Sequence, residues 1–76
     1  MKRIIHVTIY KGEKYYIAEC TDLPVVTQGK TLDDVSYNIR EAIALHLEGE
    51  DLENWDLYPD FIILATYELE PIHTKA

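Results

Sequence analysis

YIAECTDLPVVTQGKTLDDVSYNIREAIALHL, residues 16–47, decides the fold, because within it the spacing of apolar residues changes from two to between three and four. Residues 15–20 alternate as a strand does. Thr21-Asp22-Leu23-Pro24 reads as a turn, in which Pro24 fixes its own φ and pushes Leu23 toward extended geometry. Residues 25–28 read as a short strand closed by Gly29. Thr31, followed three residues later by Asp34, has the form of a capping box with a short acid, and the acids at 33 and 34 suit the positive end of a helix. The spacing of Leu32, Val35, Ile39, Ala42, Ile43 and Leu47 predicts a helix from about residue 32 with one apolar stripe, stopped at Gly49.

Upstream, residues 3–10 (RIIHVTIY) alternate: Ile5, Val7 and Ile9 face one way, Ile4, His6, Thr8 and Tyr10 the other. Lys11-Gly12-Glu13-Lys14 then turns this strand back into residues 15–20 as a hairpin. Downstream, residues 50–60 (EDLENWDLYPD) form an acidic connection, and residues 61–67 (FIILATY) a last strand whose near-continuous apolar run predicts burial on both faces. The order is β-β-β-α-β, an α+β domain with a three-stranded antiparallel meander plus a fourth strand. The helix crossover returns that strand parallel to the first and third, beside whichever has a free edge. One helix covers one sheet face. The other face would expose Ile4, His6, Tyr10, Tyr15, Ile17 and residues of the last strand, an apolar and aromatic patch that calls for a partner.

The chain is short and acidic, with 76 residues and 14 Asp/Glu against 7 Lys/Arg, for a net charge of −7. We expect one domain over residues 1–70 and a flexible tail over 71–76. A core of this size supplies little stability, and the single cysteine, Cys20, allows no internal disulfide, so a homo-oligomer, dimer or tetramer, is expected. Cys20 itself reads as a small buried hydrophobe rather than a reactive thiol, since its nearest charged neighbours are Glu19 and Asp22. Lys and Arg are scattered at 2, 3, 11, 14, 30, 40 and 75, which argues against nucleic acid as the main partner and for a basic protein instead. No stretch reads as a secretory leader or as a bilayer span, so a cytoplasmic protein without membrane contact is expected.

Residues 16–47 also resemble the amino-terminal domain of the HicB-like antitoxins, in which a hairpin strand leads into D-L-P-G-x-V-T-Q-G-x-T-L-x-E-A and then a helix written roughly N-x-x-E-A-I. The matching positions are Asp22, Leu23, Pro24, Val26, Thr27, Gln28, Gly29, Thr31, Leu32, Asn38, Glu41, Ala42 and Ile43. The family's Gly after the Pro is missing, so Val25 follows Pro24 directly and the turn must close differently. The resemblance implies a degenerate, partly truncated ribonuclease H-like fold. It further implies an antitoxin that binds and occludes a small basic toxin of the HicA type, a messenger-RNA-cleaving protein that uses a histidine. The DNA-binding segment that many members carry has no counterpart after Glu68, so operator binding by this chain is not expected.

Catalysis is not expected. A ribonuclease H-like site needs carboxylates converging on two Mg²⁺ ions, and residues 3–10 contain none, although Asp34, Glu41, Glu68 and Glu70 lie on later elements. His6, His46, His73 and Cys20 have no ligand spacing that would hold a metal, and no cofactor motif is present. The candidate partner surface is the acidic connection, namely Glu50, Asp51, Glu53, Trp55 and Asp56, with Glu48, Asp60 and Tyr58 beside them. A basic RNA-binding toxin could accept such a surface in place of phosphates; the competing reading is a solvated loop anchored by its apolar residues. Tyr10, Tyr15 and Tyr16 could stack bases, but they lack flanking cations beyond Lys11 and Lys14 and fit packing or self-association better. The alternative to an antitoxin is an orphan oligomeric scaffold or small-ligand module with no toxin partner.

Overall fold

A computed structural model describes residues 1–72 of the chain. Strands β1 (Lys2–Lys11), β2 (Tyr16–Cys20) and β3 (Val26–Gly29) are followed by helix α1 (Leu32–Leu47), a 3₁₀ turn (Leu52–Trp55) and strand β4 (Leu57–Tyr67). The sheet order is β3-β2-β1-β4, with β2 antiparallel to β1 and β3, and β4 parallel to β1. This is the α+β layout expected from the alternation of the sequence. The free edge that receives the last strand is that of β1.

The two periods meet in one core. From β1, Ile5, Val7 and Ile9 are at most 4% exposed, and from α1, Val35, Ile39, Ile43 and Leu47 face them with a spacing of four. Ala18, Leu23, Val25 and Leu57 complete the cluster. The buried stripe is narrower than predicted: Leu32 stays exposed, and Ala42 sits at the margin of the core. Cys20 is likewise half-buried at the margin rather than enclosed.

Local hydrogen bonds explain the boundaries. Thr31 caps α1 by accepting the Asp34 amide at 3.0 Å, and Gly49, at φ 74°, takes the left-handed conformation that ends the helix. The turn at residues 21–25 closes around Pro24 as an inverse γ-turn. Val25 N–H donates to Leu23 O at 2.8 Å, Cys20 N–H donates to Val25 O at 2.9 Å, and Leu23 and Val25 are driven into the core. At the same corner β2 leaves β1, and the Asp22 carboxylate takes over the vacated His6 amide at 2.7 Å.

Strand β4 departs from expectation in three ways. It begins at Leu57 rather than 61, although it ends at Tyr67 as expected. Lys2 pairs with Leu57 but Ile4 pairs with Ile62, so residues 58–61 form a bulge, over which Arg3 stacks on the Tyr58 ring at 4.5 Å and bonds Asp60 at 2.9 Å. Nor is β4 buried on both faces: Ile62 is 59% and Leu64 49% exposed. The reason is placement. Helix α1 packs mainly on β3 and β2, and β4 lies at the far edge of the sheet. Residues 73–76 of the expected tail lie outside the described residues.

Candidate functional site

The acidic connection is an ordered strap. Asp51 caps the 3₁₀ turn by accepting the Glu53 amide at 3.0 Å, and Asp56 reverses the chain at φ 58°, its amide donating to Glu53 O. Leu52 and Trp55 pack inward against the core, and the Trp55 ring meets His46 of the last turn of α1 edge-on, with centroids 5.0 Å apart. Trp55 Nε1 and His46 Nε2 are both buried and, among the described residues, have no hydrogen-bond partner. With its apolar residues turned in, the strap shows Glu50, Asp51, Glu53 and Asp56 to solvent.

Those acids do not share one electrostatic state. The positive groups at and just before the start of β1 are each engaged: the terminal amine with Asp56 at 3.5 Å, Lys2 with Asp22 at 3.2 Å, and Arg3 with Asp60 at 2.9 Å. Among the described residues Glu48, Glu50, Asp51 and Glu53 carry no ion pair. The negative field of the strap therefore comes from its first half, and Asp56 and Asp60 serve mainly to hold the bulge and the chain start. Asp22 is further set apart, because the His6 amide, followed by Lys2, holds its carboxyl below the usual carboxylate range.

The uncovered sheet face gathers Ile4, His6, Tyr10 and Ile17 as alternation assigned them, but not Tyr15. Ile4 pairs with Ile62 and His6 with Leu64, and Tyr10 lies opposite Ile17. Val26, 66% exposed, extends the patch across β3. Ile62 and Leu64 are the last strand's expected share of this face, and pairing says which of its residues they are, whereas Val26 follows only from the register of β3 against β2. Tyr10 donates to Glu19 at 2.7 Å, and this bond raises the phenol above its ordinary range. Tyr15 is displaced to a cleft at the β3 edge with Gln28, Tyr37 and Asn38. Tyr16 is on the opposite face, opposite Lys11 in register and 6.1 Å from the Tyr67 ring. The three tyrosines thus form no single stacking platform.

Among the described residues no three His, Cys, Asp or Glu side chains gather as a metal site, and no helix is long and apolar enough to cross a membrane. His73 lies outside the described residues. Comparison with family models, curated proteins and solved structures gives no match to this chain.

Proposed function

We propose that the chain is a HicB-like antitoxin domain that binds a small basic messenger-RNA-cleaving toxin and occludes its RNA-binding surface without chemistry of its own. The observation that carries this reading is the strap, where Glu48, Glu50, Asp51 and Glu53 are exposed and, among the described residues, without an ion pair, while their apolar neighbours pack inward. An ordered row of carboxylates is what a surface evolved to hold phosphates accepts, and it speeds association with a basic partner. The motif residues support the same reading through structure: Asp22, Leu23 and Pro24 build the corner that closes β2 onto β3, and Gly29 lets β3 approach α1.

The test is co-expression with the product of the neighbouring reading frame, if that product is basic and carries a histidine. Co-purification, relief of messenger-RNA cleavage and weakening of the complex by salt are expected. Reversing Glu50 and Glu53 to Lys should slow association. A strap variant that binds with unchanged affinity and salt dependence would remove the strap from the interface, and failure to bind any such product sinks the antitoxin reading.

A further inference from the structure

We infer that the free edge of β4 pairs with β4 of a second copy, antiparallel about a two-fold axis at Leu64, joining two sheets into one of eight strands. This inference does not depend on the antitoxin reading.

The edge is chemically open. Glu68 N–H donates to Ile9 O at 2.9 Å, so residues of even number along this strand direct their amide and carbonyl groups toward β1. By alternation, the backbone groups of Phe61, Ile63, Ala65 and Tyr67 point away from β1, and among the described residues no strand lies on that side. Soluble proteins blunt such edges with charge, proline, bulges or brevity. The bulge and Pro59 protect only the start of β4; residues 61–67 are long, regular and free of charge.

The same segment is complementary to itself. Centring the pair on Leu64 sets Phe61 opposite Tyr67, Ile62 opposite Thr66 and Ile63 opposite Ala65. On the helix side a groove of about 340 Å³ lies between α1 and β4, lined by Ile9, Arg40, Ile63 and the small Ala65. Ile63 of the second copy, on the same face and opposite Ala65, enters the space that the alanine leaves. On the other face the two Leu64 side chains meet, and each is 49% exposed in the single chain. The register runs out where Asp60, already held by Arg3, would approach Glu68 of the second copy. A basic partner finds no carboxylate on this segment, whereas a second copy finds a matching apolar strand, so the occupant is another molecule of this chain.

Sedimentation at concentrations from about 1 to 100 μM tests the pairing by mass action, and a dimer is expected at the upper end. Because the Ala65 amide points away from β1, Ala65→Pro leaves the β1–β4 ladder intact but removes a donor and fills the edge. It should keep the circular dichroism of the parent while weakening self-association by about 100-fold or more. Hydrogen exchange supplies the second arm: the Phe61, Ile63, Ala65 and Tyr67 amides should gain protection with concentration, while those of Leu64 and Thr66 stay protected throughout. Two chains of charge −7 repel, so added salt should strengthen the dimer, opposite to its effect on a toxin complex. A chain that stays monomeric at the highest concentration, or a dimer whose odd-numbered β4 amides exchange freely, overturns the proposal.

Discussion

The two edges of the sheet are finished in opposite ways. At β3 the strand is four residues long, only two residues separate it from α1, and a Cβ on Gly29 would stand 2.5 Å from the Val35 amide nitrogen. Asn38 reaches back from α1 to donate to Gln28 O at 2.8 Å. At β4 the strand is eleven residues long, α1 has moved away, and apolar side chains remain exposed on Ile62 and Leu64. The helix can be tight against only one side of a four-stranded sheet. Contact spent at β3 is therefore missing at β4, and the open edge is a consequence of the closed one.

The contrast breaks most sharply at Gly29. Ala at this position must displace the backbone at the start of α1, which costs about 3 kcal/mol, visible as a lower urea midpoint. If Gly29→Ala is tolerated, the closeness of the β3 edge is not what anchors the helix. Next in size is Asp22, which secures β1 where only β4 still pairs with it. Asp22→Ala leaves the His6 amide without its acceptor and should cost about 1–2 kcal/mol.

The same carboxylate has a pH signature. Its folded value lies below the ordinary one, so its contribution is complete above the carboxylate range and is lost as pH falls through the lowered value. Asp22→Asn should flatten that part of the acid-denaturation profile while retaining an acceptor for His6. Asn38→Ala, which removes the clasp on β3, should cost about 1 kcal/mol. Smallest is Leu64→Ser: measured where the chain is monomeric, it should change stability by less than about 0.5 kcal/mol, because the half-exposed side chain has few contacts to lose. An equal loss at both edges would erase the distinction between them.

Much of this architecture is legible along the chain. Alternation in β1 and the spacing of four in α1 identify the core, because burial on one side of a strand or helix repeats with the geometry of that element alone. Thr31, Gly49 and Pro24 mark boundaries through local hydrogen bonds and torsions that need no distant partner. The acids of the strap are visible as a run. Their division into Asp56 and Asp60, which are paired, and Glu48, Glu50, Asp51 and Glu53, which among the described residues are not, is invisible there, because the cations that make the difference, the Met1 amine and Arg3, are more than fifty residues away.

The apolar run of residues 61–67 shows the limit most clearly. By itself it reads as a strand buried on both sides, since hydrophobicity records what a segment would bury and not what is available to cover it. Local periodicity determined the elements, their facing residues and the β-β-β-α-β order. Only the tertiary structure decided that β4 adds to β1 at the sheet edge, that α1 spends its contacts on β3 and β2, and that Trp55 turns in toward His46. Those outcomes depend on how one helix shares its limited surface among four strands, a competition between distant segments that no local pattern encodes.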